Sequence, residues 1–457
     1  MINTLHRCSW LIFIALLVAC GTAPTASTSH RTQTLLPPSL TPLPTLAAPP
    51  SPFPLPTMPN LPISTVQPTR TPLPVSLPKF PLDGYVVLFK KDNDLYFQNG
   101  NKLPVKLAHI EGRTYPPYFV ILSDDNQKVV FYQDDGNIYS INADGTKEQV
   151  VIPSNWSDSL SSGTFMGALD FIPKTHLLFF EAVLCKEKSS VSSCSTIIFI
   201  ADADTGRIRK LADLGLALQN YDPGIQNNIR FSPNGRMMAA GTTEGINIFT
   251  LEGEIIRQNV LPFTPSKSVT PFPSLFWLPD SSGLIAALPT QLHPDPFYID
   301  GNAPAYAIWR YKIGDNSMVQ IPFDPPVAGA FEVSPDGNWI VYGGISSAET
   351  ELYLGNLSDG ITKVFGDDLM RNYQWSSDSK HFIHGNVVVI SFDKPPVFGG
   401  GSTQWIDSNH FIYLDTPDNN PLIQQGRVLV AEIRQDKVYY YETGLTYLSI
   451  IVIAPRQ

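Results

Sequence analysis

The sequence predicts an all-β domain, a β-propeller of four-stranded blades, on three observations. Short β-branched and aromatic runs recur from Tyr85 onward, among them YVVLF, KVVFY, TIIFIAD, INIFTL, WIVYGG, NVVVISF and RVLVAEI. Runs of that length, punctuated by Gly, Asp, Asn and Pro, read as strands, and nothing between them keeps a helical period. One unit, an apolar residue followed by a Ser-Pro-Asp-Gly-like turn, also returns at the spacing of a blade.

The clearest copies are Phe231-Ser232-Pro233-Asn234-Gly235, Trp277-Leu278-Pro279-Asp280, Val333-Ser334-Pro335-Asp336-Gly337 and Trp375-Ser376-Ser377-Asp378, with weaker ones at Leu122, Phe171 and Trp405. In such a turn Pro fixes φ, Asp or Asn accepts local backbone bonds and Gly takes a positive φ. The anchors are spaced by 49, 60, 46, 56, 42 and 30 residues, which suits four-stranded units of about 40 to 50 residues. Three strands precede the first anchor without an innermost partner, and one strand is left over near 447–453. The C-terminal strand is therefore expected to complete the first blade and close a ring of seven or eight, which removes the sheet edges an open array would expose.

The turn followed by an apolar strand resembles the TolB-like β-propeller repeat, found also in the propeller domain of prolyl-oligopeptidase-type enzymes. The resemblance spans roughly residues 84 to 455 and implies one domain, 83–457. No Gly-x-Ser-x-Gly elbow is present, so the peptidase chemistry of that relative is not expected.

The N-terminal region reads differently. Arg7 precedes an apolar stretch, Trp10 to Ala19, which is short for a membrane span and suits a signal peptide over 1–19. It ends Leu17-Val18-Ala19-Cys20-Gly21 and resembles the lipobox of bacterial lipoproteins. That resemblance implies cleavage before Cys20, acylation of Cys20 (palmitate among the chains) and anchorage to the cell membrane on its outer side. Residues 21–82 contain 17 Pro and no Asp or Glu. A stretch so poor in backbone donors is expected to be a disordered linker, assigned together with Cys20 to 20–82.

Removing residues 1–82 leaves 27 basic against 41 acidic residues, a balance of −14. Such a domain lacks the basic face that nucleic acid requires. Cys185 and Cys194 flank an eight-residue loop between two strand runs and, in an exported protein, are expected to form a disulfide. His381 and His384 fall on opposite faces of a strand, and His176, His381 and His410 each follow a repeat turn, so they read as one structural position in three blades. No catalytic constellation, cofactor motif or metal site is assigned.

The function expected is a lipid-anchored extracytoplasmic binding or scaffolding module for protein, peptide or glycan. The alternative is an extracellular carbohydrate-active hydrolase with paired carboxylates in the propeller funnel, which no spacing indicates. Ligand contacts are expected on the long loops, richest at His293, Asp295, Phe297, Tyr298, Asp300 and Asn302, with Trp156 a second candidate on another loop.

Overall fold

The computed structural model describes residues 78–110, 120–156, 160, 165–185, 194–214, 229–242, 245–261, 273–294, 302–345, 350–367, 373–384, 388–391, 397–398, 401–415, 427–433, 437–440 and 450–457. Every regular element among them is a β-strand, and the strands fall into successive antiparallel units of four. The first holds β1 (Tyr85–Lys91), β2 (Asp94–Asn99) and β3 (Val105–His109). The second holds β4 (Val120–Leu122), β5 (Lys128–Tyr132), β6 (Ile138–Asn142) and β7 (Gln149–Ile152). The third runs through β8 (Phe165–Phe171), β9 (Leu177–Cys185), β10 (Cys194–Asp202) and β11 (Ile208–Asp213). In the fourth are β12 (Ile229–Phe231), β13 (Met237–Gly241), β14 (Ile246–Thr250) and β15 (Ile255–Val260).

The fifth unit comprises β16 (Ser274–Trp277), β17 (Gly283–Pro294), β18 (Asn302–Lys312) and β19 (Ser317–Ile321), and the sixth β20 (Val327–Val333), β21 (Trp339–Ile345), β22 (Thr350–Asn356) and β23 (Thr362–Asp367). These two share one eight-stranded sheet. The cause is length: β19 pairs only with Ile308–Lys312 of β18, so Ala305 and Tyr306 pair with Ala328 and Val327 of β20. A seventh unit follows with β24 (Tyr373–Trp375), β25 (His381–His384), β26 (Val388–Ser391) and β27 (Val397–Phe398). The eighth has β28 (Gly401–Trp405), β29 (His410–Asp415), β30 (Arg427–Glu432) and β31 (Lys437–Tyr440). The last strand, β32 (Ile450–Pro455), returns to pair with β1, Tyr85 opposite Pro455 and Val87 opposite Ile453.

Each of the seven anchors, Leu122, Phe171, Phe231, Trp277, Val333, Trp375 and Trp405, is the last residue of the strand that opens its unit. The turn after it explains the repeat. Ser123, Ser232, Ser334 and Ser376 are buried, and their hydroxyls donate to Asp125, Asn234, Asp336 and Asp378 at 2.7, 2.7, 2.6 and 2.8 Å. The same oxygens accept the amides of Lys128, Met237, Trp339 and His381. A buried hydroxyl with both roles filled carries no desolvation cost left unmet. Gly235 and Gly337 take the positive φ (68° and 70°), and Asn126, Ser281 and Ser379 hold that conformation in the copies that lost glycine (60°, 61° and 62°).

The core lies between units rather than inside one. Alternate residues of one strand serve different neighbours: Val87 and Phe89 of β1 pack with Ile412 and Val430 of the eighth unit, while Val86 and Leu88 pack with Val129 and Phe131 of the second. With both faces buried, a period of two reads as an almost unbroken apolar run. Similar clusters join the second to the third unit and so on through the seventh to the eighth. Indoles add a second tie, since Trp277, Trp375 and Trp405 donate Nε1–H to the carbonyls of Arg230, Glu332 and Gln374 at 2.9, 3.1 and 2.8 Å.

Two expectations change here. Phe80 and Leu82 are each 2% exposed and pack in the cluster that joins the eighth unit to the first, so the folded part begins before residue 83; a boundary drawn where prolines thin out misses two apolar side chains in Phe80-Pro81-Leu82. The long loop on which His293 and Asn302 were expected is, in its described part, a continuation of the β17–β18 hairpin, with Leu292 opposite Pro304 and a register shift between Pro289 and Gln291. Proline is compatible with a ladder where its missing N–H falls at a bulge or an unpaired position.

Candidate functional site

The residue just before each anchor points the other way on its strand. In chain order these are Ile121, Asp170, Arg230, Phe276, Glu332, Gln374 and Gln404. None is fully buried, and Asp170, Arg230 and Gln404 are exposed to solvent. Yet protein surrounds Asp170, Arg230 and Glu332 closely enough that desolvation dominates their ionisation. Surface exposure and strong desolvation meet in these side chains because Asp170 and Arg230 stand at the mouth of a cavity rather than on a flat surface.

Three of these side chains form one electrostatic group, although β8, β12 and β20 lie far apart in sequence. Arg230 interacts with both Asp170 and Glu332. Enclosure pushes the Glu332 carboxyl up to about 7 against the opposing pull of Arg230. Enclosure also raises Asp170; the Phe171 amide, which donates to its Oδ1 at 2.7 Å, and Arg230 oppose this, and Asp124 adds to it. The Arg230 guanidinium is in turn held below its usual range by desolvation. Beside them, between the third and fourth units, lies a cavity of ≈ 130 Å³ lined by Leu169, Asp170, Phe179, Glu181, Arg230 and Phe231 among others.

The sequence offered no local motif for this group. A signal existed all the same: a charge immediately before an apolar anchor, present at Asp170, Arg230 and Glu332, marks the face opposite the anchor.

Of the residues singled out from sequence, Cys20, Asp295, Phe297, Tyr298 and Asp300 lie outside the described residues. His293 and Asn302 lie near the end of β17 and at the start of β18, one step out of register, since His293 faces Ala303 and Pro294 faces Asn302. Trp156 is half-buried, its ring edge-on to Phe180 and Phe199 at centroid distances of 4.8 and 4.9 Å, which gives it a packing role the loop sequence did not reveal. Cys185 and Cys194 stand directly opposite each other in the β9–β10 ladder; their side chains are outside the described set.

The three histidines are not equivalent. His381 gives its carbonyl to the first turn amide, Ser376, as Leu177 does to Ile172, so His176 sits one residue earlier than expected. A shift of one turns a strand residue to the other face. His176 accordingly points outward, within 3.0 Å of Asp125 Oδ2 and 2.8 Å of Asp204 Oδ2, while His381 is buried.

No family model matches the chain, and no curated protein matches it. Among solved structures it is similar to TolB from Acinetobacter baumannii, at 12% identity over 81% of this chain and 82% of that one, with a TM-score of 0.34. It is similar to oligogalacturonate lyase from Vibrio parahaemolyticus, at 14% identity over 70% and 87% of the two chains, with a TM-score of 0.42. A third likeness is to dipeptidyl peptidase 4 from Porphyromonas gingivalis, at 10% identity over 72% and 53%, with a TM-score of 0.47. At these identities and scores none of the three passes an activity to this chain.

Proposed function

We propose that the chain is a lipid-anchored, extracytoplasmic β-propeller of eight blades, closed by β32, that works as a binding module for protein, peptide or glycan. The observation that carries the binding role is the cavity between the third and fourth units, lined by Asp170, Glu181 and Arg230, with Glu332 of a further unit coupled electrostatically to Arg230. Convergent charged groups with displaced protonation equilibria in a concavity are what ligand sites are built from. The return of β32 to β1 and the core clusters that link each unit to the next, the eighth to the first included, support the closed ring. Lipidation at Cys20 and the linker that follows it rest on the sequence.

Hydrolysis by paired carboxylates is the weaker reading. An acid/base pair needs environments that push two carboxyls apart, and here enclosure pushes Asp170 and Glu332 in the same direction.

Two measurements test the proposal. Cys20→Ser should abolish fatty-acid labelling and release the protein from the membrane fraction. Titrating the detergent-solubilised chain with a panel of peptides and oligosaccharides should yield a ligand whose affinity drops in the triple variant Asp170→Asn, Arg230→Gln, Glu332→Gln; turnover of a panel member, with product accumulating, would replace the binding role with the hydrolase.

A further inference from the structure

We infer that Arg310, at the corner of the fifth and sixth units into which it reaches, receives a carboxylate, as a glutamate or aspartate side chain of a peptide presents it. The inference uses none of the residues that line the cavity between the third and fourth units, and it stands or falls apart from that site.

Charge comes first. Arg310 lies on β18 and is half-buried. Its Nη2 donates to the Gly337 carbonyl at 3.1 Å, in the turn between β20 and β21, and its Nε is buried without a hydrogen-bond partner. Desolvation holds the guanidinium below its usual range, and among the described residues no carboxylate opposes that shift. The carboxylates of the surrounding turns are engaged by their own turns: Asp280 accepts the Ser282 amide, Asp336 accepts from the Ser334 hydroxyl and from Asn338, and Asp359 accepts the Ile361 amide. A partly buried cation with no counter-charge is costly, and the planar fork of a guanidinium matches a carboxylate. Lys312, two residues further along β18 and so on the same face, adds to the positive charge.

The repeat supplies the second observation. The corner between the second and third units has the same frame: Ser140 pairs with Val130 and Gln149 as Arg310 pairs with Ile285 and Val319, and the Gly206 amide closes its turn on the Asp202 carbonyl as Gly360 does on Asn356. In that corner the cation has its carboxylate, Lys128 Nζ lying 2.7 Å from Asp204 Oδ1. Asp204 stands two residues after Asp202, and the same step from Asn356 arrives at Ser358, which carries no charge. The place of Lys128 itself falls to Gly283, whose carbonyl accepts the Leu278 amide as that of Lys128 accepts Ser123, so Arg310 supplies the cation from the neighbouring strand. A ligand carboxylate would bring from outside what Asp204 brings from within. Val319, opposite Arg310 and on its face, is 62% exposed, and Ile361, next to the glycine that abuts the Pro322 carbonyl after β19, is 64% exposed; an acidic residue with apolar neighbours therefore suits the corner. The acidic balance of the domain repels such a ligand at long range, which leaves the affinity to the contact itself.

The test uses the full chain in detergent and acetyl-Val-Glu-Val-amide as the probe, against its neutral twin acetyl-Val-Gln-Val-amide, which has nearly the same shape without the charge. The acidic peptide should bind at least about tenfold more tightly than the twin, as expected for one charge-assisted hydrogen bond or more. Arg310→Gln should remove that preference and Arg310→Lys should keep part of it, with thermal unfolding showing that both variants fold. Ser358→Asp, which brings a carboxylate to the place Asp204 holds in its own corner, should weaken the acidic peptide by about tenfold and raise the melting temperature, and the rise should vanish when Arg310→Gln is added. Equal binding of the twins overturns the inference without relying on any variant, as does no binding of either peptide. A preference that survives Arg310→Gln, or a Ser358→Asp chain that binds the acidic peptide as the wild type does, overturns it too. Inorganic phosphate that displaces the peptide at a lower concentration than acetate would give the site to phosphate and refute the carboxylate. None of these outcomes bears on the cavity between the third and fourth units, whose variants test it separately.

Discussion

The Tyr85 hydroxyl donates to Asp407 Oδ2 at 2.6 Å, a bond between β1 and the turn that follows β28, 322 residues later. His410 Nδ1 lies 2.9 Å from the same oxygen and 3.2 Å from the phenol, and Phe80 packs 5.1 Å from the Tyr85 ring and 5.5 Å from the imidazole. Burial and Asp407 together hold the tyrosine hydroxyl well above its usual range. Burial resists ionisation of Asp407, but bonds from His410 and Tyr85 prevail and take it down to about 2.

Tyr85→Phe should therefore destabilise the domain by about 1–2 kcal/mol, the range for a hydrogen bond to a charged group with partial exposure. The sign with pH follows from the depressed Asp407: its contribution is complete above about pH 4 and is lost as pH falls through about 2. Thermal unfolding at pH 6 and pH 2.5 should show a gap between wild type and variant that narrows in acid.

His176 predicts the opposite slope. Desolvation lowers its pKa, but hydrogen bonds and charge from Asp204 and Asp125 outweigh it, so the net shift is upward. A raised histidine stabilises fully below its unfolded value of about 6.5 and loses that contribution as pH rises through the folded one. His176→Asn should flatten the decline in melting temperature between pH 6 and pH 8; a slope identical to wild type would show that the bridge between the second and third units adds nothing.

Gly235 has a φ of 68°, and a Cβ there would meet the Pro173 carbonyl oxygen of the preceding unit at 2.1 Å. Gly235→Ala should cost more than about 2 kcal/mol, strain and clash together. Gly84 makes the control, because its φ of 88° is equally strained for alanine but nothing lies within 4 Å of the added carbon. Chemical unfolding of the two variants should separate the two contributions.

Cys185 and Cys194 are directly paired across β9 and β10, a placement in which the two Cα atoms lie within bridging distance. Peptide mapping of protein prepared without reductant should recover the two as one linked fragment. Alkylation of both thiols under those conditions would refute the bridge.

The repeat was legible because its chemistry is local. Ser334, Asp336 and Gly337 do their work within one turn, and the anchors that precede such turns end the opening strands throughout. What escaped the sequence was either a matter of register or of assembly. His176 and His381 look alike beside their turns, yet a difference of one residue puts them on opposite faces. The stretch around His293 reads as a loop, yet a bulge between Pro289 and Gln291 lets the ladder continue through it. Asp170, Arg230 and Glu332 share no motif, because their coupling depends on how β8, β12 and β20, from three separate units, are brought together.

The pairing of β1 with β32 has a consequence for the order of events in the cell. Residues 85–91 are among the first of the domain to be synthesised, yet one edge of β1 has no partner until residues 450–455 exist. Throughout that interval the nascent chain carries an open strand edge and half of an apolar cluster, which are the features that recruit chaperones and invite association between copies. That edge of β1 is thus closed only by a strand more than 350 residues downstream, and a chain without residues 450–455 keeps it open.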